Sequence, residues 1–212
     1  MNRVKVLIRR ARRAVLDRVL ERSGETSDSV SLDELGVAGD GYHDYEPSGW
    51  LGLRRALRGL DVDPSQTFLD IGCGKGRVVA QAARRPFGRV LGVELSPRLA
   101  EAARSLVERD SRRRRCGAVE IVVADITAWE MPDDVTIAYV YNALGGEALI
   151  AMLDRIAESV DRAPRTLLLL YANPVNEADV IAHPRFELQE RRGGRRWSAT
   201  DPRRISVFRV LA

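Results

Sequence analysis

Thr67 to Val79 reads TFLDIGCGKGRVV. A short apolar run ends in an acid, Asp70, and is followed by glycines at 72, 74 and 76 before the next apolar residues. This is the pattern of a buried strand that turns directly into a helix. Glycine at such a turn permits backbone angles that other residues resist and lets a ligand approach the main chain. The N–H groups at the start of the following helix have no intrahelical partner.

Working outward, the same alternation recurs. Residues 77–85 predict a helix stopped by Pro86, and RVLGVEL (89–95) predicts a second strand. Ser96 as N-cap and Pro97 at the first helical position open a helix predicted to run into the arginines near 115. Strands are predicted over 119–125, 135–142 and 165–173, with a helix in GGEALIAMLDRIAESV between the last two. The tail, FELQERR and RRISVFRVLA, predicts two further strands joined by a Gly-rich loop. Upstream, SGWLGLRRALRGL predicts a helix with Ser48 as N-cap and Gly59 near its end. Strands alternating with helices imply a parallel sheet, and near-continuous apolar strands imply helices on both faces. The expected fold is α/β, a Rossmann-like three-layer αβα sandwich. Its seven-stranded sheet is mostly parallel, with an antiparallel C-terminal strand.

The 212 residues suit one domain, placed over 48–212, preceded by a segment 1–47. That segment begins with a basic amphipathic stretch, MNRVKVLIRRARRAVLDRVLER, predicted as a helix. Ser, Gly and Asp then mark a linker or lid. No apolar run reaches the roughly 18 residues of a membrane span. Two separated cysteines, Cys73 and Cys116, and only two histidines argue for reduced thiols in a cytoplasmic protein and against a metal site. The net charge of +4 is carried almost wholly by arginine, with lysine only at 5 and 75.

Phosphate-binding turns do not fit. A P-loop needs G-x-x-x-x-G-K-[ST], whereas Gly74-Lys75 is followed by Gly76, and Leu69 stands where the first glycine belongs. In the dinucleotide fingerprint G-x-G-x-x-G the third glycine would fall at 77, which is arginine. Asp70, Gly72, Gly74 and Gly76 instead resemble the D-x-G-x-G-x-G motif of class I S-adenosylmethionine-dependent methyltransferases. Within them the chain is similar to small bacterial proteins with D-x-G-x-G-K-G-R, with Tyr45-Glu46-Pro47-Ser48 ahead of the first helix and Asn173-Pro174 after the fifth strand.

That resemblance implies S-adenosylmethionine as cofactor. Asp70, Gly72, Cys73, Gly74 and Gly76 would face its methionine end, and Glu94 with Leu95 its ribose. Asp125 and Ile126 would face its adenine. A carboxylate such as Glu94 accepts from two hydroxyls at once. Asn142 falls where the family's acceptor-facing motif begins, although Ala143 and Leu144 depart from it. Asn142, His43 and Tyr45 are the candidate catalytic residues, with His43 as base. Tyr141, Tyr171 and Trp50 are candidates for an apolar acceptor pocket. Lys75 and Arg77 stand where the helix dipole disfavours cations, so they are expected either to meet an anion or, for Arg77, to point to solvent.

The expected reaction is methyl transfer to a small-molecule amine or hydroxyl in bacterial biosynthesis. A protein lysine or terminus, an RNA, or a non-catalytic cofactor-binding role are the alternatives. RNA ranks low, because no aromatics interleave the basic residues for stacking. The N-terminal basic helix is expected to dock on its own domain, meet a membrane surface or form a dimer contact.

Overall fold

The computed structural model describes residues 29–31, 34, 41–49, 51–193 and 201–211. The basic N-terminal stretch, and with it the membrane or dimer contact, lies outside them. Seven strands form one sheet: β1 Thr67–Ile71, β2 Arg89–Glu94, β3 Ala118–Val123, β4 Val135–Tyr141, β5 Leu168–Ala172, β6 Phe186–Arg192 and β7 Ile205–Val210. Their spatial order is β3-β2-β1-β4-β5-β7-β6. β1 to β5 pair in parallel, and β7 runs antiparallel between β5 and β6. β1, an interior strand, is buried throughout, whereas the edge strands β3 and β6 are partly exposed.

Helices cover both faces. Alternate residues of a strand serve opposite faces. Phe68 and Tyr139 pack with α1 (Gly52–Ala56), α2 (Arg77–Ala83) and α3 (Pro97–Arg109), and Leu69 and Val140 pack with α4 (Gly146–Arg162) and α5 (Glu177–Ala182). Phe68 lies between the rings of Phe87 and Tyr139, with centroids 5.3 and 6.3 Å away. Ser96 caps α3 as expected, its Oγ accepting from Leu99 N at 3.4 Å, with Pro97 behind it.

Other boundaries differ from expectation. Ser48 is not an N-cap: α1 begins after Leu51 with no side-chain cap. Ser48 is instead buried, and its carbonyl accepts from Arg77 Nη1 at 2.9 Å. α3 ends at Arg109, and only one 3-10 turn, Ser111–Arg113, continues it. β5 starts later than its apolar run suggests. The Arg165 guanidinium just before it is committed to the carbonyls of Val135, Ser159 and Ala163, each within 2.9 Å. α5 was not expected; six residues without a capping side chain leave little periodic signal.

β1 has β2 on one side and β4 on the other, and the chain leaves it in opposite directions. At such a reversal the connections diverge and open a crevice beyond the carboxyl ends of the strands. The motif turn after β1 sits there.

Candidate functional site

The crevice is an open cavity whose empty space, about 930 Å³, is continuous with solvent. Its floor comes from the ends of β1, β2 and β4. Asp70, Gly72, Cys73, Glu94 and Leu95 border it, as do Ala124 and Ile126 on either side of Asp125. Gly74, Gly76, Asp125 and Asn142 are not on its immediate wall. Its roof is residues 42–48, a strap that sequence reasoning placed only as a linker or lid.

The motif turn needs its glycines. Gly72, Gly74 and Gly76 all have positive φ, at +68°, +55° and +78°. A Cβ on Gly72 would press on Ala143, and one on Gly74 would overlap the Tyr45 ring. So the turn is a bare cradle with a tyrosine laid across it, and Lys75 Nζ stands 5.5 Å from that ring's centroid.

Glu94 organises the turn. Its Oε2 accepts from Gly74 N at 2.7 Å and its Oε1 from Ser96 N at 2.9 Å. Burial raises its pKa, and the N–H groups of Ser96, Gly74 and Leu95 pull against that rise. Asp70 contrasts with it. Only 3% exposed, its carboxylate has no hydrogen bond or ion pair among the described residues. Burial, and then the negative charge of Glu94, push its pKa well above the usual carboxylate range. A buried carboxylate without a partner on a cavity wall is a feature expected to be satisfied by something bound. Burial likewise pushes the Cys73 thiol up, helped by Asp70 and Glu94, so this cysteine is a small packing residue.

Asp125 follows β3. Burial raises its pKa, but hydrogen bonds from Tyr42 and Thr127 outweigh this and hold it below the usual value. Those bonds converge on Oδ1: Tyr42 Oη at 2.7 Å, Thr127 Oγ1 at 2.7 Å and Thr127 N at 2.9 Å. Oδ2 has no hydrogen bond among the described residues.

The strap is tied to the β4–α4 turn as well. His43 N donates to Ala143 O at 3.0 Å, and Gly145 N donates to Gly41 O at 2.8 Å. His43 Nδ1 donates to Asn142 O at 2.8 Å. A carbonyl only accepts, so this bond places the proton of a neutral imidazole on Nδ1 and leaves Nε2 with its lone pair. Asn142 thus takes part through its main chain. Its φ is +40°, and its buried Oδ1 lacks a partner among the described residues.

Arg77 does not point to solvent. It is 2% exposed, borders the cavity and is anchored to the Ser48 carbonyl. Tyr141 borders the cavity, while Tyr171 is core and Trp50 lies outside the described residues. Sequence reasoning missed Tyr42 and Tyr139 as cavity residues; Arg77, a cation at a helix start, was singled out but left between an anion and solvent. No group of three or more His, Cys, Asp or Glu among the described residues is placed to hold a metal ion. No helix among them is long and apolar enough to cross a membrane.

Residues 68–162 match the family model described as a methyltransferase domain. The ribosomal protein L11 methyltransferase of Dechloromonas aromatica (strain RCB) is 31% identical over 130 residues, covering 57% of this chain and 42% of that protein. This chain spans less than half the length of the curated relatives it matches. The methyltransferase domain of bacterial CtHen1-C superposes with a TM-score of 0.57 at 16% identity, covering 76% of this chain and 97% of that one. The mitomycin 7-O-methyltransferase MmcR gives 0.55 at 20% identity, covering 77% and 55%. The fold is therefore that of the Rossmann-like methyltransferases.

Proposed function

We propose that the protein is an S-adenosylmethionine-dependent methyltransferase acting on a small-molecule acceptor. The observation that carries this reading is Asp70, a buried carboxylate without a partner among the described residues, beside Glu94 on the wall of a cavity whose cradle is bare backbone. The cofactor brings a positive ammonium and a sulfonium, which a carboxylate at this place would offset. The glycine turn gives its methionine end room. Glu94 keeps lone pairs for the ribose hydroxyls although both its oxygens already accept N–H groups. Asp125 Oδ2 is the acceptor for the adenine amino group, and Ile126 flanks the ring.

The cofactor supplies a methyl group already activated for transfer. The chain's task is then to align an acceptor and exclude water. The strap does the excluding, because it closes the cavity between the β3 and β4 ends. His43 is the general base, its Nε2 held ready by the Asn142 carbonyl. Tyr45 holds the strap on Gly74. Asn142 positions His43 through its main chain.

Acceptance of a protein side chain is the second reading, favoured by the match to a ribosomal protein L11 methyltransferase. Calorimetric titration with S-adenosylhomocysteine tests the cofactor assignment: wild type binds, while Asp70→Ala and Glu94→Ala fold but do not. Transfer of labelled methyl into small-molecule and protein fractions of an extract separates the two acceptor readings. Wild-type affinity in both variants would falsify the site assignment.

A further inference from the structure

We infer that the acceptor is an alkylamine that enters as a cation and is held at the cavity mouth by the strap carboxylate Glu46, with Asp44 beside it. The inference rests on the methyl-transfer reading above and names the acceptor class of that same site.

The charge around the cavity is opposite to the charge of the chain. The protein carries 34 Lys and Arg against 30 Asp and Glu. Yet among the described residues the cavity is bordered by four acids, Asp44, Glu46, Asp70 and Glu94, while Lys75 stands just outside it against the Tyr45 ring. The one guanidinium that borders it among those residues, Arg77, is buried and spends Nη1 on the Ser48 carbonyl. Such a mouth repels phosphates and carboxylates and favours cations. Asp70 and Glu94 are accounted for by the cofactor; Asp44 and Glu46 are exposed on the strap, on either side of Tyr45, and Asp44 already has an interaction of its own. Glu46 makes no hydrogen bond or ion pair among the described residues.

A second, independent feature points the same way. Tyr42, Tyr45, Tyr139 and Tyr141 border the cavity, four of the five tyrosines in the chain. Ring faces together with carboxylates are the surroundings that attract organic ammonium groups. One of these tyrosines is incomplete. The Tyr139 hydroxyl, beside Ser48 in the cavity lining, is buried with no hydrogen-bond partner among the described residues.

The chemistry closes with groups already named. The ammonium loses one proton to His43 Nε2, which passes it to solvent. The nitrogen lone pair then forms the N–C bond to the methyl carbon. The S–C bond breaks as its electron pair returns to sulfur, and a neutral thioether leaves.

The test uses the full chain saturated with S-adenosylhomocysteine, titrated with 1,5-diaminopentane and with the neutral 1-pentanol and anionic glutarate. The diamine is expected to bind and the other two not. Glu46→Gln should weaken the diamine at least tenfold and leave the S-adenosylhomocysteine affinity within twofold. Labelled methyl transfer to 1,5-diaminopentane and to a lysine-containing peptide then distinguishes a free amine from a protein side chain. Equal or better binding of the alcohol or the dianion overturns the inference, as does absence of diamine binding or an unaffected Glu46→Gln. Failure of S-adenosylhomocysteine to bind at the outset would instead sink the methyltransferase reading itself.

Discussion

Tyr42 and Asp125 stand 83 residues apart in sequence, and their side chains meet across the cavity mouth at 2.7 Å. The contact joins the roof of the site to the acid proposed to face adenine. Among the described residues all hydrogen bonds on that acid fall on Oδ1, which leaves Oδ2 for a ligand while the strap stays latched. On the proposed reading, strap closure and nucleoside binding share one carboxylate and are expected to reinforce each other.

Removing the latch should weaken both. Tyr42→Phe keeps the ring and loses the hydroxyl donated to an ionised carboxylate, a bond worth about 1.5–3 kcal/mol. The expected result is a loss of about tenfold or more in S-adenosylhomocysteine affinity, with faster dissociation in stopped-flow traces. Unchanged affinity and dissociation rate would mean that the contact has no part in retaining the ligand.

Asp70 predicts a conflict between stability and function. Burial holds its folded pKa far above the unfolded value. Between those two values the folded state keeps a proton that the unfolded state has released. Stability therefore falls as pH rises through that window, and the penalty persists above it. Asp70→Asn removes the penalty. Without ligand, this variant should melt higher than wild type at pH 8, by about 2–4 °C for each kcal/mol relieved, with the gap closing by pH 4. It should also lose S-adenosylhomocysteine binding. Scanning calorimetry at the two pH values checks the sign, and a variant that melts lower than wild type at pH 8 contradicts it.

Gly74→Ala addresses the cradle. The residue has φ +55°, and its Cβ would enter the Tyr45 ring. The left-handed conformation alone costs about 1–2 kcal/mol for a non-glycine residue. The ring must also move, which loosens the strap. Limited proteolysis should cut within 41–48 faster than in wild type, and ligand affinity should fall. An equally protected strap would show that Tyr45 repacks without loss.

The fold was legible because its signals were local and strong. Continuous apolar strands gave a central parallel sheet, and Ser96-Pro97 marked a helix start that the structure keeps. The placing of acids 70, 94 and 125 at or just past successive strand ends was legible, although only Asp70 and Glu94 border the cavity. What the sequence concealed depends on contacts between distant segments. Ser48 looks like a cap, yet it is drawn inward by Arg77, 29 residues away. Tyr42 carries no local signal for a partner at 125. Tyr139 sits in an apolar strand, reads as core and is fully buried, and only the crevice beside it makes it part of a cavity lining. Asn142 was legible as a special position, but which of its groups matters is set by His43, 99 residues before it.

His43 yields the most direct test of the chemistry. Its Nδ1 is committed to the Asn142 carbonyl, the residue borders the cavity, and Nε2, which lies near Gly145, keeps its lone pair. His43→Ala removes a positioned base and should lower kcat by about 10²–10⁴-fold. The proposed cofactor residues Asp70, Glu94 and Asp125 are untouched, so S-adenosylhomocysteine affinity should stay close to that of wild type. Asn142→Ala keeps the carbonyl but loses the side chain, at a position whose positive φ suits asparagine better than alanine. Its kcat should therefore fall less than that of His43→Ala. Addition of imidazole should restore part of the His43→Ala activity and none of the Asn142→Ala activity. A His43→Ala enzyme with wild-type turnover, or one that loses ligand affinity in step with turnover, would remove the imidazole from the reaction and leave it as a tether for the strap.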